Sequence, residues 1–143
     1  MGKYRVGYTT GVFDMFHIGH LNLLRGAKAR CDYLIVGVST DELVESYKSK
    51  IPVIPFRERF EIVSELKCVD MVVPQLSMNK IEAWEKYHYD VLFHGSDWKN
   101  SKMYSELEEQ LKQVGVDVVY LPHTEGISST YLSDLYWSRV HES

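Results

Sequence analysis

The chain is 143 residues long, 45% apolar and 25% charged, enough for one domain with a sizeable core and short for two. Its net charge of -4 argues against a general nucleic-acid binder, which is usually basic, and leaves room for a local basic pocket. No charged leader with an apolar stretch opens the chain and no apolar run is long enough to span a bilayer, so a cytoplasmic protein without membrane insertion, with one domain over residues 1–143, is expected.

Arg5 to Thr10 reads as a first strand, and Leu21 to Arg30 as a helix with Leu21, Leu24 and Ala27 on one stripe. Cys31 opens the next segment. It and Cys68 are the only cysteines, and without C-x-x-C spacing they read as small buried apolar residues. Tyr33 to Val38 is a continuous apolar run, the pattern of a strand covered on both faces of a parallel sheet. Ser39-Thr40-Asp41-Glu42 then offers a cap and early acids for a short helix. Tyr47 to Pro55, with two lysines and two prolines, reads as a loop long enough to act on a substrate.

Phe56 to Lys67 is predicted helical, with Phe60, Val63 and Leu66 aligned, and Val69 to Val73 a short third strand stopped by Pro74. Arg57 and Arg59 open that helix, where the dipole disfavours cations, so a nearby anion or plain solvent exposure is expected. Lys80 to Tyr87 is a fourth crossover helix and Asp90 to His94 a fourth strand, followed by Gly95-Ser96-Asp97-Trp98 where open α/β sheets hold ligands. Tyr104 to Val114 is a helix ended by Gly115, and Val116 to Leu121 a fifth strand. His123 to Thr130 then leads into a last helix, Tyr131 to Val140. Five strands alternating with helices predict a doubly wound, Rossmann-like parallel sheet of order 3-2-1-4-5, with the ends of strands one and four at the switch point.

The chemistry concentrates between the first strand and its helix. There Gly11 and Gly19 permit close approach of a ligand, and His17 and His20, at i and i+3, share the side of a helix start. A helix N-terminus favours an anion and biases imidazole toward its neutral form, which still donates one N–H. Two such donors suit phosphate oxygens on which charge develops. A metal site is not expected, because no other histidine or cysteine stands in ligand spacing.

Gly11-Val12-Phe13-Asp14-Met15-Phe16-His17-Ile18-Gly19-His20 resembles the G-x-F-D-x-x-H-x-G-H signature of the cytidylyltransferase group of HxGH nucleotidyltransferases. Lys67 to Val72 is similar to the R-Y-V-D-E-V segment of glycerol-3-phosphate cytidylyltransferases, Gly95 to Trp98 to G-D-D-W, and Thr124 to Thr130 to the later part of R-T-E-G-I-S-T-T. The resemblance implies transfer of a cytidylyl group from CTP to a small phosphorylated alcohol, foremost glycerol 3-phosphate, giving CDP-glycerol and pyrophosphate. Phosphocholine, phosphoethanolamine, a sugar phosphate, ATP as donor, or a weak nucleotide-binding module are the alternatives.

By motif match, His17, His20, Lys48, Lys80 and Ser128 would be catalytic, with Lys50 the alternative to Lys48. Thr10, Gly11, Val12, Phe13, Asp14, Gly19, Gly95, Asp97, His123, Thr124, Gly126, Ile127 and Ser129 would bind the nucleotide, and Arg59 matches an arginine kept before the third strand. Mg²⁺ would accompany the triphosphate with no protein ligand assigned, and a homodimer is implied. His123 stands where the family carries arginine and Ser96 where it carries an acid, two departures that bear on the acceptor.

Overall fold

The computed structural model describes residues 3–96 and 101–122. In chain order the elements are β1 (Tyr4–Gly11), α1 (Ile18–Lys28), β2 (Cys31–Ser39), α2 (Asp41–Lys48), α3 (Phe56–Ser64), β3 (Met71–Gln75), α4 (Lys80–Tyr87), β4 (Val91–Gly95), α5 (Lys102–Lys112) and β5 (Asp117–Leu121). The strands form one sheet of order β3-β2-β1-β4-β5, parallel throughout, as the alternation of strand and helix patterns predicts.

Side chains alternate across this sheet and fill two cores. Leu34, Val36 and Val38 of β2 with Val91 and Phe93 of β4 meet Leu24 and Ala27 of α1 and Val63 of α3 on one face. Ile35 of β2, Leu92 of β4 and Tyr8 of β1 meet Tyr104 and Leu111 of α5 on the other, with Ile81 and Trp84 of α4 packed alongside. Burial on both faces is why β2 reads as an unbroken apolar run.

Two aspartates set the register at the amino ends of the strands. Asp70 accepts from the Leu34 N–H at 2.8 Å and Asp90 from the Val6 N–H at 3.0 Å, while their own N–H groups donate to the Leu34 and Val6 carbonyls. Each carboxylate thus supplies the acceptor that a strand beginning at that level lacks.

The helices start where their sequences cap them. Thr40 accepts from the Leu43 N–H at 3.2 Å, Asn79 from Ile81 and Glu82, and Ser101 from Tyr104.

Three expectations change. Pro74 does not stop the third strand, which runs through it to Gln75, with Pro74 opposite Val38. β3 is an edge strand, where a residue lacking N–H interrupts no inner ladder. The helix expected to reach Lys67 ends at Ser64 and passes into tight turns at Leu66 and Val69. The expected loop from Tyr47 begins only after α2 closes, at Ser49 in the left-handed conformation (φ 57°). The last predicted helix, Tyr131 to Val140, lies outside the described residues.

β1 and β4 are neighbours whose helices lie on opposite faces, so their carboxyl ends bound a crevice that no crossover fills.

Candidate active site

The turn leaving β1 is held in an unusual backbone shape. Phe13 and Met15 adopt positive φ, 55° and 48°, a conformation that costs a side-chain-bearing residue on the order of 1–3 kcal/mol. Packing over-determines it. The Phe13 ring is buried, lies edge-on to His20 at 5.5 Å and tilts against Phe16 at 6.2 Å. That ring covers Gly11, where a Cβ would stand 2.9 Å from Phe13 Cζ, so glycine is required there.

His17 is the N-cap of α1, and its Nδ1 accepts from the Gly19 N–H at 3.0 Å. The His17 N–H in turn donates to His20 Nδ1 at 3.2 Å. This is a capping box built from two imidazoles. Because a backbone N–H can only donate, both Nδ1 atoms carry no proton, and each neutral ring must carry its proton on Nε2. The rings stack at 3.9 Å, 25° apart. Burial holds both below the ordinary histidine pKa and, with His17 beside it, pushes His20 down to about 3. His17 Nε2 is buried and has no hydrogen-bond partner among the described residues, a condition that costs about 1–3 kcal/mol unless an acceptor arrives.

Asp14 accepts from the Val53 and Ile54 N–H groups at 2.8 and 2.9 Å, fastening the far end of the 49–55 loop to the histidine turn. Arg59 does the same from below. Its guanidinium donates to the Ile54, Val12 and Ser39 carbonyls at 2.7–2.8 Å and pairs with Asp41 at 2.6 Å. Arg59 is only 1% exposed, so solvent is not the reason for a cation in the first turn of α3; the nearby anion expected from the sequence is the protein's own Asp41 carboxylate. The reason is internal: one guanidinium joins the turn, the end of β2, the loop and α2. The signal was there in the unfavourable position, but its partner Asp41 is 18 residues away.

Among the sequence-predicted residues, Thr10, Gly11, Val12, Phe13, Asp14, His17, Gly19 and His20 form one continuous stretch at the carboxyl end of β1 and the start of α1. Gly95 ends β4 beside it. Thr10 is buried in its strand and Phe13 is a core side chain, so only the Phe13 backbone is available to a ligand at this turn.

Lys80 opens α4, 3% exposed, with burial lowering its pKa to about 8. Lys48 and Lys50 are exposed on the excursion between β2 and α3, Lys48 with its Nζ 5.9 Å from the Tyr47 ring centre. His94, which the sequence reading did not single out, lies on β4 with its ring 4.9 Å from buried Tyr104. Asp97, His123, Thr124, Gly126, Ile127, Ser128 and Ser129 lie outside the described residues.

A neutral, tautomer-locked donor pair at a helix N-terminus, beside a strand end at a sheet switch point, is built to hold phosphate oxygens. The family model of cytidylyltransferase-like proteins matches residues 8–134, which take in the second half of β1 and all of β2 to β5. The chain belongs to the cytidylyltransferase-like family.

A glycerol-3-phosphate cytidylyltransferase of Bacillus spizizenii is 38% identical over 125 residues, covering 87% of this chain and 91% of that protein. An ethanolamine-phosphate cytidylyltransferase of Mus musculus is 39% identical over 123 residues, 85% of this chain and 30% of that protein. This cytidylyltransferase-like chain thus spans nearly all of the first relative and under a third of the second. A solved lipopolysaccharide core biosynthesis protein from Thermoplasma volcanium superimposes with a TM-score of 0.74 at 27% identity, covering 85% of this chain and 99% of that one. A pantoate-beta-alanine ligase from Francisella tularensis, with a TM-score of 0.60 at 12% identity over 98% of this chain and 72% of its own, shares the fold.

Proposed function

We propose that this nucleotidyltransferase transfers a cytidylyl group from CTP to a small phosphorylated alcohol of the kind named for its relatives, glycerol 3-phosphate or ethanolamine phosphate. The observation that carries the reading is the histidine pair: two Nδ1 atoms fixed as acceptors, and a buried His17 Nε2 donor without a partner among the described residues.

In this reading a phosphate oxygen of the acceptor attacks the α-phosphorus of CTP. The P–O bond to the β-phosphate breaks, and pyrophosphate leaves with its electron pair. No covalent intermediate with the protein forms. His17 and His20 donate through Nε2 to oxygens that gain charge, staying neutral so that no proton need be lost or gained. Lys80 supplies a fixed positive charge to an incoming phosphate, and Lys48 at the end of α2 or Lys50 in the loop that Asp14 ties down supplies a second one. Gly11 and Val12 offer backbone N–H groups, Gly19 allows close approach without a Cβ, and Gly95 with the segment from His123 to Ser129 completes the nucleotide site by motif match.

Mg²⁺ enters this reading on the triphosphate rather than in a protein cage. No group of three acidic, histidine or cysteine side chains among the described residues is arranged to hold a metal, and both Asp14 oxygens already accept backbone N–H bonds. Bound to phosphate oxygens, the ion would supply charge neutralisation. A homodimer is part of the proposal from the family likeness alone.

The test is pyrophosphate release with Mg²⁺ and CTP or ATP, against glycerol 3-phosphate, phosphoethanolamine, phosphocholine and sugar phosphates. Release with CTP and one acceptor is expected, falling about 100- to 1,000-fold in His17→Ala or His20→Ala, the range for removing one donor to developing charge. Release that survives both substitutions would overturn the reading.

A further inference from the structure

The loop over residues 49–55 is held by polar ties more than by burial. Ile51 and Val53 are 67% and 58% exposed, so apolar packing supplies little of what fixes it. Instead the Val53 and Ile54 N–H groups donate to the two oxygens of Asp14 at 2.8 and 2.9 Å. The Ile54 carbonyl accepts from Arg59, whose guanidinium also holds the Val12 carbonyl. Val12 and Asp14 belong to the histidine turn, so turn, loop and guanidinium close a ring through Ile54. At its other end the loop starts from Ser49, the left-handed cap whose N–H closes α2 on the Glu45 carbonyl.

Between those two anchors the chain is Lys50-Ile51-Pro52. Lys50 stands three residues before Val53, a span of at most about 11 Å, and Pro52 stiffens that span by fixing its own φ. Asp14 stands three residues before His17. One carboxylate therefore limits the distance between a lysine on the loop and the imidazole donors at the helix start.

A carboxylate aimed at a triphosphate would repel it. The two backbone N–H donors hold the charge of Asp14 toward the loop, in charge-assisted hydrogen bonds that are stronger than neutral ones. That geometry suits a strut between two segments and not a nucleotide ligand.

We propose that Asp14 is a positioning residue of the transfer reaction: it touches neither nucleotide nor acceptor, and clamps the 49–55 loop to the histidine turn so that Lys50 and the Nε2 donors of His17 and His20 meet one triphosphate together. The inference rests on the cytidylyl-transfer reading above and gives Asp14 a role different from the nucleotide contact expected by motif match.

The experiment is a double-mutant cycle on kcat/KM for CTP, with Asp14→Asn, Lys50→Met and the two combined. Each single variant is expected to lose about 10- to 100-fold, the range for one interaction of a charged group. The combination should fall no more than about threefold below the more damaged single variant, because a released loop no longer presents its lysine. Asp14→Asn combined with Lys80→Met, which changes the start of α4 on the other face of the sheet, should instead multiply the two losses. Multiplied losses for Asp14 and Lys50, the outcome of a general fold defect or of direct contact with the nucleotide, overturn the clamp.

Val53→Pro removes a loop donor and leaves the carboxylate in place. It should reproduce most of the Asp14→Asn loss, whereas wild-type activity would mean that Asp14 acts directly and would sink the proposal. Should Asp14→Asn not fold, Val53→Pro takes its place in the cycle with Lys50→Met. Trypsin gives a readout independent of turnover: cleavage after Lys48 or Lys50 should be about tenfold faster in Asp14→Asn at unchanged circular dichroism, as freeing a locally anchored segment does. Equal cleavage rates would show that Asp14 does not hold the loop.

If the wild type releases no pyrophosphate with any acceptor, the transfer reading fails on its own, and the same cycle read as the Kd for CTP by calorimetry decides the clamp. Independent losses there, or no CTP binding by the wild type, overturn it.

Discussion

His20 and Lys80 are both titratable groups kept away from their ordinary charge, and each makes a pH prediction. Burial and the neighbouring His17 hold His20 at about 3, against 6.5 in an unfolded chain. Below pH 6.5 the unfolded chain therefore binds a proton that the folded one refuses until about pH 3. Folding stability is full above pH 6.5 and declines as pH falls from there toward 3. Thermal melts between pH 7 and 4.5 should show this decline, and His20→Asn, which keeps a short acceptor but cannot charge, should make it shallower. Lys80 loses its proton near pH 8 because burial disfavours the ammonium. The kcat/KM for the acceptor, which reports the free enzyme, should therefore fall as pH rises through about 8. In Lys80→Arg that alkaline limb should disappear, since guanidinium stays charged; a limb unchanged in Lys80→Arg would assign it to another group.

Arg59 and Asp14 join the elements around the site through polar contacts. Asp41, at the first position of α2, is the sole ion-pair partner of the buried guanidinium among the described residues, and it also accepts from the Phe56 N–H at 3.2 Å. Asp41→Ala strands a buried charge and should cost about 3–5 kcal/mol in denaturant unfolding. A loss below 1 kcal/mol would mean that the three carbonyls alone hold Arg59.

This element scale is also where the sequence was least legible. The first-turn arginine of α3 was noticed as unfavourable, yet its explanation needed Val12, Ser39, Ile54 and Asp41 brought together from four segments. Pro74 misled for a related reason: a proline is a stop signal in an inner strand and harmless at an edge, and only the sheet order says which β3 is.

At the scale of the whole molecule, the parallel sheet places the β1 turn, the β4 end and the α4 start at one end of the domain, and the two cores on its faces keep them there. A nucleotide that binds this folded end and not the unfolded chain should stabilise the protein by about 2.7 kcal/mol at 100 times its dissociation constant, a shift of several degrees in Tm. CTP with Mg²⁺ should give that shift, and His17→Ala should reduce it.

Much at this scale was readable from the chain alone. Unbroken apolar runs and strand-helix alternation led to the 3-2-1-4-5 order, and the ten residues from Gly11 to His20 carried the family likeness, because local pattern and short-range geometry are encoded locally. Tertiary structure alone decided the tautomers of His17 and His20 and the burial of Arg59 and Lys80. Those properties depend on solvent exclusion and on partners distant in sequence, and neither exists until the two faces of the sheet are covered.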